Sequence, residues 1–157
     1  MDTLAEAYIN ELAFLIPLKQ AVSIVNNRIH DRLSWIAIDK LKGRHPDLNF
    51  SYRGAGAGGI DIQGFASDGG LKLIAEVKST HTSETVALRP PQKAAIERDL
   101  ERLVNAVGPT YRYLVVISQQ TKEAVLRQIQ PEVRFPGVVV IDAIGFVIAP
   151  EVPEEED

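Results

Sequence analysis

Residues 60–78 read IDIQGFASDGGLKLIAEVK, and this stretch decides the fold that we predict. Two segments with strand-like patterning flank Ser-Asp-Gly-Gly at 67–70, which is typical of a hairpin turn. A two-residue turn and a four-residue loop give the same register, in which Asp61 lies directly opposite Glu76. Their Cβ atoms would be roughly 5 Å apart on one sheet face, where two like charges destabilise each other. The hairpin therefore predicts a site for a divalent cation.

A lysine extends the pattern along the same strand. Side chains alternate in direction along a strand, so Glu76 and Lys78 share the face of Asp61. Phosphodiester cleavage needs a cation held by oxygen ligands, an activated water and positive charge near the phosphorane. Gly59 falls opposite Lys78 in the predicted register, which leaves space for a phosphate backbone. The alternative is an ordinary strand face that directs Lys and Glu to solvent.

The rest of the chain alternates between helical and strand patterns. Apolar spacing predicts a first helix that ends before Pro17 and a second over 19–43. Two further helices are expected, from Pro90 to about residue 107 and over 121–130. The predicted strands are 49–53, 60–66, 71–79, 111–118, 137–141 and 144–148. The order ααβββαβαββ implies crossover connections and a mixed sheet with helices on both faces.

Length and composition indicate one domain. The chain has 157 residues, 45% of them hydrophobic, enough for a single core. We predict a domain over 1–150, with 1–18 as an N-terminal helix and 19–150 as the core, followed by an acidic flexible tail at 151–157. No apolar run approaches the ~20 residues of a membrane span, and the N-terminus is acidic. With no cysteine, the chain fits a reducing compartment, and we expect a cytoplasmic protein without a membrane partner.

Charge permits contact with nucleic acid without requiring it. The net charge is −4, but five of the 21 acidic residues lie in the tail. Residues 19–53 carry seven basic side chains against three acidic ones. Such an excess can contact phosphates or form an ordinary solvated helix face.

Two other sequence patterns do not indicate a catalytic or cofactor-binding role. The glycine-rich stretch 54–59 contains a G-x-G-x-x-G string, but a strand follows it instead of a helix. We therefore predict a mobile loop that allows close approach of DNA, or a plain connector. The charged residues of the third helix are predicted to form a mixed solvated face: Glu97, Arg98, Asp99, Glu101 and Arg102.

Ile60-Asp61 followed by Glu76-Val77-Lys78 resembles the motif of the PD-(D/E)XK nuclease superfamily, which includes restriction endonucleases and several repair and recombination nucleases. The element order is similar over roughly residues 19–142. This chain has Ile60 where proline is common. The resemblance implies a restriction endonuclease-like fold, with three α/β/α layers, a central mixed sheet and a motif-bearing hairpin.

The resemblance also implies roles for individual residues. Asp61, Glu76 and the Val77 carbonyl would ligate Mg²⁺, with Mn²⁺ able to substitute, and Lys78 would act on the attacking water. A helix before the hairpin often contributes an acid, and this role falls to Asp31, with His30 as the alternative. Gln92 matches a glutamine found early in the next helix in some branches and would position the reacting groups.

We therefore predict a magnesium-dependent DNA endonuclease that works as a homodimer if it cuts both strands. The alternative is a catalytically silent nuclease-fold module that binds DNA or assists assembly. The residues expected to contact DNA are Arg53, Gly56, Gly58, Gly59, Ser79, Thr80, Arg89 and Lys93.

Overall fold

A five-stranded mixed sheet forms the centre of the protein. The computed structural model describes residues 4–82 and 87–145, without the side chains of residues 4–11 and 14. The helices are α1 (Leu4–Arg44), α2 (Pro90–Asn105), α3 (Gln119–Gln128) and α4 (Pro131–Arg134). The strands are β1 (Asn49–Tyr52), β2 (Ile62–Phe65), β3 (Leu71–Lys78), β4 (Tyr111–Val116) and β5 (Val138–Asp142).

The strands lie in sequence order across the sheet. β1, β2 and β3 are antiparallel neighbours, and β3, β4 and β5 are parallel neighbours. Parallel neighbours require crossover connections, which α2 and α3 provide. The predicted α/β class with a mixed sheet is therefore confirmed.

Helices cover both faces of the sheet. Leu33, Ala37 and Leu41 of α1 pack with one set of strand side chains, which includes Leu73 and Ala75. The opposite face packs against α2 and α3 through a second set of buried residues: Ile74, Ile96, Leu100, Leu103, Leu114, Val116, Val125 and Val140. The side chains of β3 point alternately into these two cores, so every second residue of β3 faces α2.

The hairpin has the predicted register near the site but a different turn. Ile62 pairs with Ala75, as the predicted register requires. The connection is a three-residue loop: Ala66 N–H donates to the Gly70 carbonyl at 2.9 Å, and Gly69 has φ of 83°. The prediction of two or four residues was wrong, because a glycine in the left-handed region favours a three-residue loop with a bulge. A register shift follows between Gly64 and Phe65.

The two helices predicted at the N-terminus are one helix of 41 residues, with Pro17 inside it. Pro17 removes one backbone hydrogen bond, but leucines on both sides favour the helix and it continues. The buried apolar residues of α1 that pack on the sheet begin at Leu33, and the side chains of residues 15–29 are exposed. We call residues 4–29 the arm.

The remaining predictions differ mainly at their ends. The single turn of α4 was not predicted, and α3 begins two residues earlier than expected, where the Ser118 side chain caps it by accepting from Thr121 N–H. Most of the predicted strand over 144–148 and all of the tail over 151–157 lie outside the described residues. Within the described ranges, no helix is both long and apolar enough to cross a membrane.

Candidate functional site

The carboxyl groups of Asp61 and Glu76 meet at the end of the hairpin. Asp61 precedes β2 and is not a ladder residue, yet its Oδ2 accepts a 2.8 Å hydrogen bond from Val77 N–H in β3. This bond directs the Asp61 side chain to Glu76, so the two carboxyl groups lie close enough to shift each other's pKa. Glu76 is only 2% exposed. The structure thus brings together the two acids of the sequence motif.

These carboxyl groups line a cleft of about 430 Å³. Its walls come from α1, the glycine-rich loop, the end of β3 and α2. The lining residues are His30, Ala57, Gly58, Gly59, Asp61, Glu76, Val77, Lys78, Ser79, Thr80, Asp99 and Arg102. Segments that are far apart in the sequence therefore contribute to one concave surface.

Burial of two adjacent acids separates their pKa values. Removal from solvent and the neighbouring Asp61 raise the pKa of Glu76 to about 8, although Arg102 opposes the shift. Burial also acts to raise the pKa of Asp61, but hydrogen bonds with His30 and Val77 N–H outweigh it and lower that pKa. At neutral pH, Glu76 is therefore the protonated member of the pair and Asp61 the charged one.

The helix residue that reaches this pair is His30, not Asp31. His30 Nε2 lies 3.5 Å from Asp61 Oδ2, and this hydrogen bond raises the pKa of His30 against the effect of burial. Asp31 points away, because consecutive helix residues are rotated by about 100°. Its Oδ1 accepts from Tyr52 Oη at 3.0 Å and Ala55 N–H at 3.1 Å. Asp31, the predicted metal ligand, thus lies outside the cleft, and His30 lines the cleft instead.

Two residues of α2 were missed. Lys78 Nζ lies 2.5 Å from Asp99 Oδ2, and Arg102 Nη1 lies 2.7 Å from Glu76 Oε1. Asp99 is only 6% exposed, so the prediction of a solvated face was wrong for this residue. The available signal was spacing: Asp99 follows Ile96 by three residues and precedes Leu103 by four, which places it on the buried stripe of the helix.

Gln92 does not line the cleft. Its Oε1 accepts a 3.0 Å hydrogen bond from Arg89 N–H and so caps the start of α2. An amide side chain three residues into a helix can satisfy the otherwise unpaired N–H at the cap, and this local bond holds Gln92 away from the site. The contacts of Gln92 therefore do not support the positioning role predicted for it.

The predicted DNA contacts divide into two groups. Gly58, Gly59, Ser79 and Thr80 line the cleft, whereas the other four lie outside it: Arg53, Gly56, Arg89 and Lys93. The Arg53 guanidinium donates to the Gly58 carbonyl at 2.7 Å and folds back over the loop. A Cβ added to Gly59 would lie 3.0 Å from this guanidinium, and Gly59 has φ of 101°, so glycine is required there.

The cleft residues fit Mg²⁺ by the type of ligand that they offer. Asp61 and Glu76 present carboxyl oxygens, and the Val77 carbonyl points to the same neighbouring strand as its N–H. Across the described residues, no three or more His, Cys, Asp or Glu side chains surround a common point. Mg²⁺ ordinarily keeps several waters and takes only one or two carboxylates from a protein, so a pair suffices.

The chain matches no family model, no curated protein and no solved structure. The assignment to the PD-(D/E)XK superfamily therefore stays a proposal based on the residues of the cleft.

The metal-free protein should lose stability as pH rises from about 5 to about 8. An unfolded glutamate releases its proton near 4.5, whereas folded Glu76 holds it to about 8. The folded state binds more protons in this window, so rising pH favours unfolding. Glu76→Gln should reduce this slope and leave the smaller part due to His30, whose raised pKa acts in the same direction above 6.5.

Urea denaturation in EDTA at about pH 5.5, 7 and 8.5 measures this dependence. The exposed Glu101→Gln, on the helix beside the site, is the matched control and should keep the wild-type slope. Equal slopes for wild type and Glu76→Gln would contradict the raised pKa.

Proposed function

We propose that the protein is a magnesium-dependent endonuclease that hydrolyses DNA phosphodiester bonds. One observation carries the proposal: Asp61, Glu76 and Lys78 converge from one hairpin on a single cleft. Two adjacent buried carboxyl groups destabilise a fold unless a cation or a proton compensates, so their presence in a cleft favours a role in chemistry. An ammonium two residues along the same strand supports hydrolysis of a phosphate ester in particular.

The chain's own residues would divide the work as follows. Asp61, Glu76 and the Val77 carbonyl would hold the ion, which supplies Lewis acidity and positive charge beside the scissile phosphate. Lys78 would orient the attacking water and offset charge on the phosphorane. Asp99 would hold the Lys78 ammonium in place through the 2.5 Å ion pair.

Arg102 brings a positive charge to the resting site. Its guanidinium is bonded to Glu76, yet the side chain is 50% exposed. Because half of its side chain is accessible, Arg102 would also be able to contact a substrate phosphate that enters the cleft.

A catalytically silent module is the second candidate. The contacts of Lys78 with Asp99 and of Arg102 with Glu76 hold the cleft residues in place without any bound ion. A protein that only binds DNA could keep such pairs as structural supports.

Cleavage of supercoiled plasmid separates these candidates. With Mg²⁺ or Mn²⁺ the wild type should nick the plasmid, and EDTA should abolish nicking. Lys78→Ala should lower the rate by about a hundredfold or more, because it removes the group that acts on water. Lys72→Ala is the matched control, since Lys72 is an exposed lysine on the same strand and should keep wild-type activity.

Asp61→Asn and Glu76→Gln extend the test to the ion ligands. Both variants keep side-chain size and should lose nicking even at raised Mn²⁺. Metal-dependent nicking that survives Lys78→Ala would point to a contaminating nuclease, and DNA retention by the wild type without cleavage would favour the silent module.

We further propose that two copies pair through the arm. One site cleaves one strand, so a cut through a duplex requires two sites. Apolar side chains recur on the arm with alternating spacings of three and four residues, which is the pattern of a helix-pairing seam. The seam consists of Leu15, Leu18, Val22, Val25 and Ile29, each at least 39% exposed.

The exposed area of the arm suits a second copy. Leu12 flanks the seam, so six large apolar side chains on this side of the arm are about half exposed. They leave about 400–500 Å² of apolar surface on each copy, so two copies would bury about 1,000 Å², near the lower end for a specific interface. An apolar surface of this size is comparable to the largest patch on a typical monomer, and such patches often serve binding.

Sedimentation velocity tests the pairing. The wild type should be a dimer at micromolar concentration, and Val22→Glu should shift it to monomer, because a charge without a partner would be buried in the seam. Gln20→Glu introduces the same charge on the opposite side of the exposed arm and should leave the dimer intact. A monomeric wild type at about 100 μM, where standard interfaces are saturated, would contradict the pairing.

A further inference from the structure

A second concave surface lies on the outer side of α1. It has a volume of about 350 Å³ and is lined by Arg28, Asp31, Arg32, Trp35 and Tyr52. We call it the Trp35 groove. None of its five residues lines the cleft. We propose that this groove binds an unpaired strand of nucleic acid and leads it to the cleft, an inference that rests on the proposed nuclease function.

The aromatic side chains offer a surface for base stacking. Trp35 is 56% exposed, although large aromatic residues are usually buried. Its ring lies against Tyr52 with centroids 5.2 Å apart and planes tilted by 59°. The contact holds Trp35 in place at one side while more than half of its surface stays accessible. Aromatic rings presented in this way stack on nucleic-acid bases of any sequence.

Two arginines supply charge for the phosphates. Arg28 and Arg32 are one turn apart on α1, and Trp35 follows Arg32 by three residues, so all three share one face of the helix. Both arginines are exposed, and the described side chains offer neither of them an ion pair.

The acid in the groove is already engaged. Asp31 Oδ1 accepts from Tyr52 Oη and from Ala55 N–H, and so it ties the groove wall to the glycine-rich loop. With two arginines and one acid, the groove is positive overall, which complements a polyanion. A second copy of the chain would bring two more arginines and meet repulsion, so charge favours nucleic acid as the occupant.

Neighbouring residues of the chain line the groove and the cleft. Asp31 lines the groove and its neighbour His30 lines the cleft. The same loop that binds Asp31 at Ala55 contributes Gly58 and Gly59 to the cleft wall. A strand whose base stacks on Trp35 would therefore pass this loop with its phosphates directed to the site. Stacking needs a free base face, so the groove selects an unpaired strand over a continuous duplex.

The only tryptophan of the chain reports occupancy directly, because Trp35 lies in the groove. Full-length protein carrying Lys78→Ala, kept in EDTA, is titrated with a single-stranded oligothymidylate of about 12 nucleotides, a length that one stacking surface and its flanking contacts can accommodate. Saturable quenching of Trp35 fluorescence is expected, and the affinity should fall as salt rises. A blunt duplex of the same length should bind at least fivefold more weakly.

Variants identify the contacts that carry the binding. Arg28→Gln combined with Arg32→Gln should weaken binding about tenfold, whereas Arg44→Gln, an exposed arginine at the other end of α1, should leave it unchanged. Anisotropy of a labelled oligothymidylate should show a loss of about fivefold or more for Trp35→Ala and a smaller one for Trp35→Phe, which keeps a stacking ring. Circular dichroism checks that each variant is folded.

Several outcomes would overturn the inference. They are absence of quenching by the single strand, equal quenching by the duplex, and wild-type affinity of Trp35→Ala. A fluorescence change that follows protein concentration without oligonucleotide would mean that a second copy fills the groove. Binding is measured without turnover, so a saturable groove beside an inactive wild type would reject only the nuclease function, and plasmid nicking without quenching would reject only the groove.

Discussion

The contact between two carboxyl groups at the end of one hairpin is the constraint on which the site depends. Val77 N–H holds Asp61 by a 2.8 Å bond, and this places Asp61 against Glu76, which is almost fully buried. Two negative charges in such a position would repel each other strongly, so the protein keeps a proton on Glu76 and raises its pKa to about 8. The surrounding residues follow from the same need for positive charge.

Helix α1, helix α2 and strand β3 each contribute a positively charged group. Helix α1 brings His30 to Asp61, helix α2 brings Arg102 to Glu76, and β3 itself brings Lys78, which Asp99 balances in turn. His30 and Arg102 come from the two helices that pack on opposite faces of the sheet, so the position of the site is coupled to the packing of both cores. A bound cation would take over the role of the Glu76 proton in offsetting the charge of the carboxyl pair.

The local pattern of the chain was sufficient to predict the sheet and the paired acids, because strand alternation and turn residues act over short distances. Ile62 pairs with Ala75 as predicted, and the two acids converge. The predicted length of the turn was wrong. The bulge changes the pairing only at the turn end of the hairpin and leaves the register near the acids as predicted. Asp31 lies outside the cleft for a different reason: the choice between neighbouring helix residues depends on the rotation of α1 about its axis, and packing of Leu33, Ala37 and Leu41 sets that rotation. Asp99 and Arg102 come from distant sequence, and only the crossover brings them to β3.

Calorimetric titration of the metal-free protein with Mn²⁺ at about pH 7, in two buffers with different ionisation enthalpies, tests the carboxyl pair most directly. Binding should release close to one proton, because Glu76 must give up the proton that its pKa of about 8 retains. Glu76→Gln should abolish the release together with the binding. Mn²⁺ binding without proton release, or no binding at millimolar metal, would contradict a cation site formed by Asp61 and Glu76.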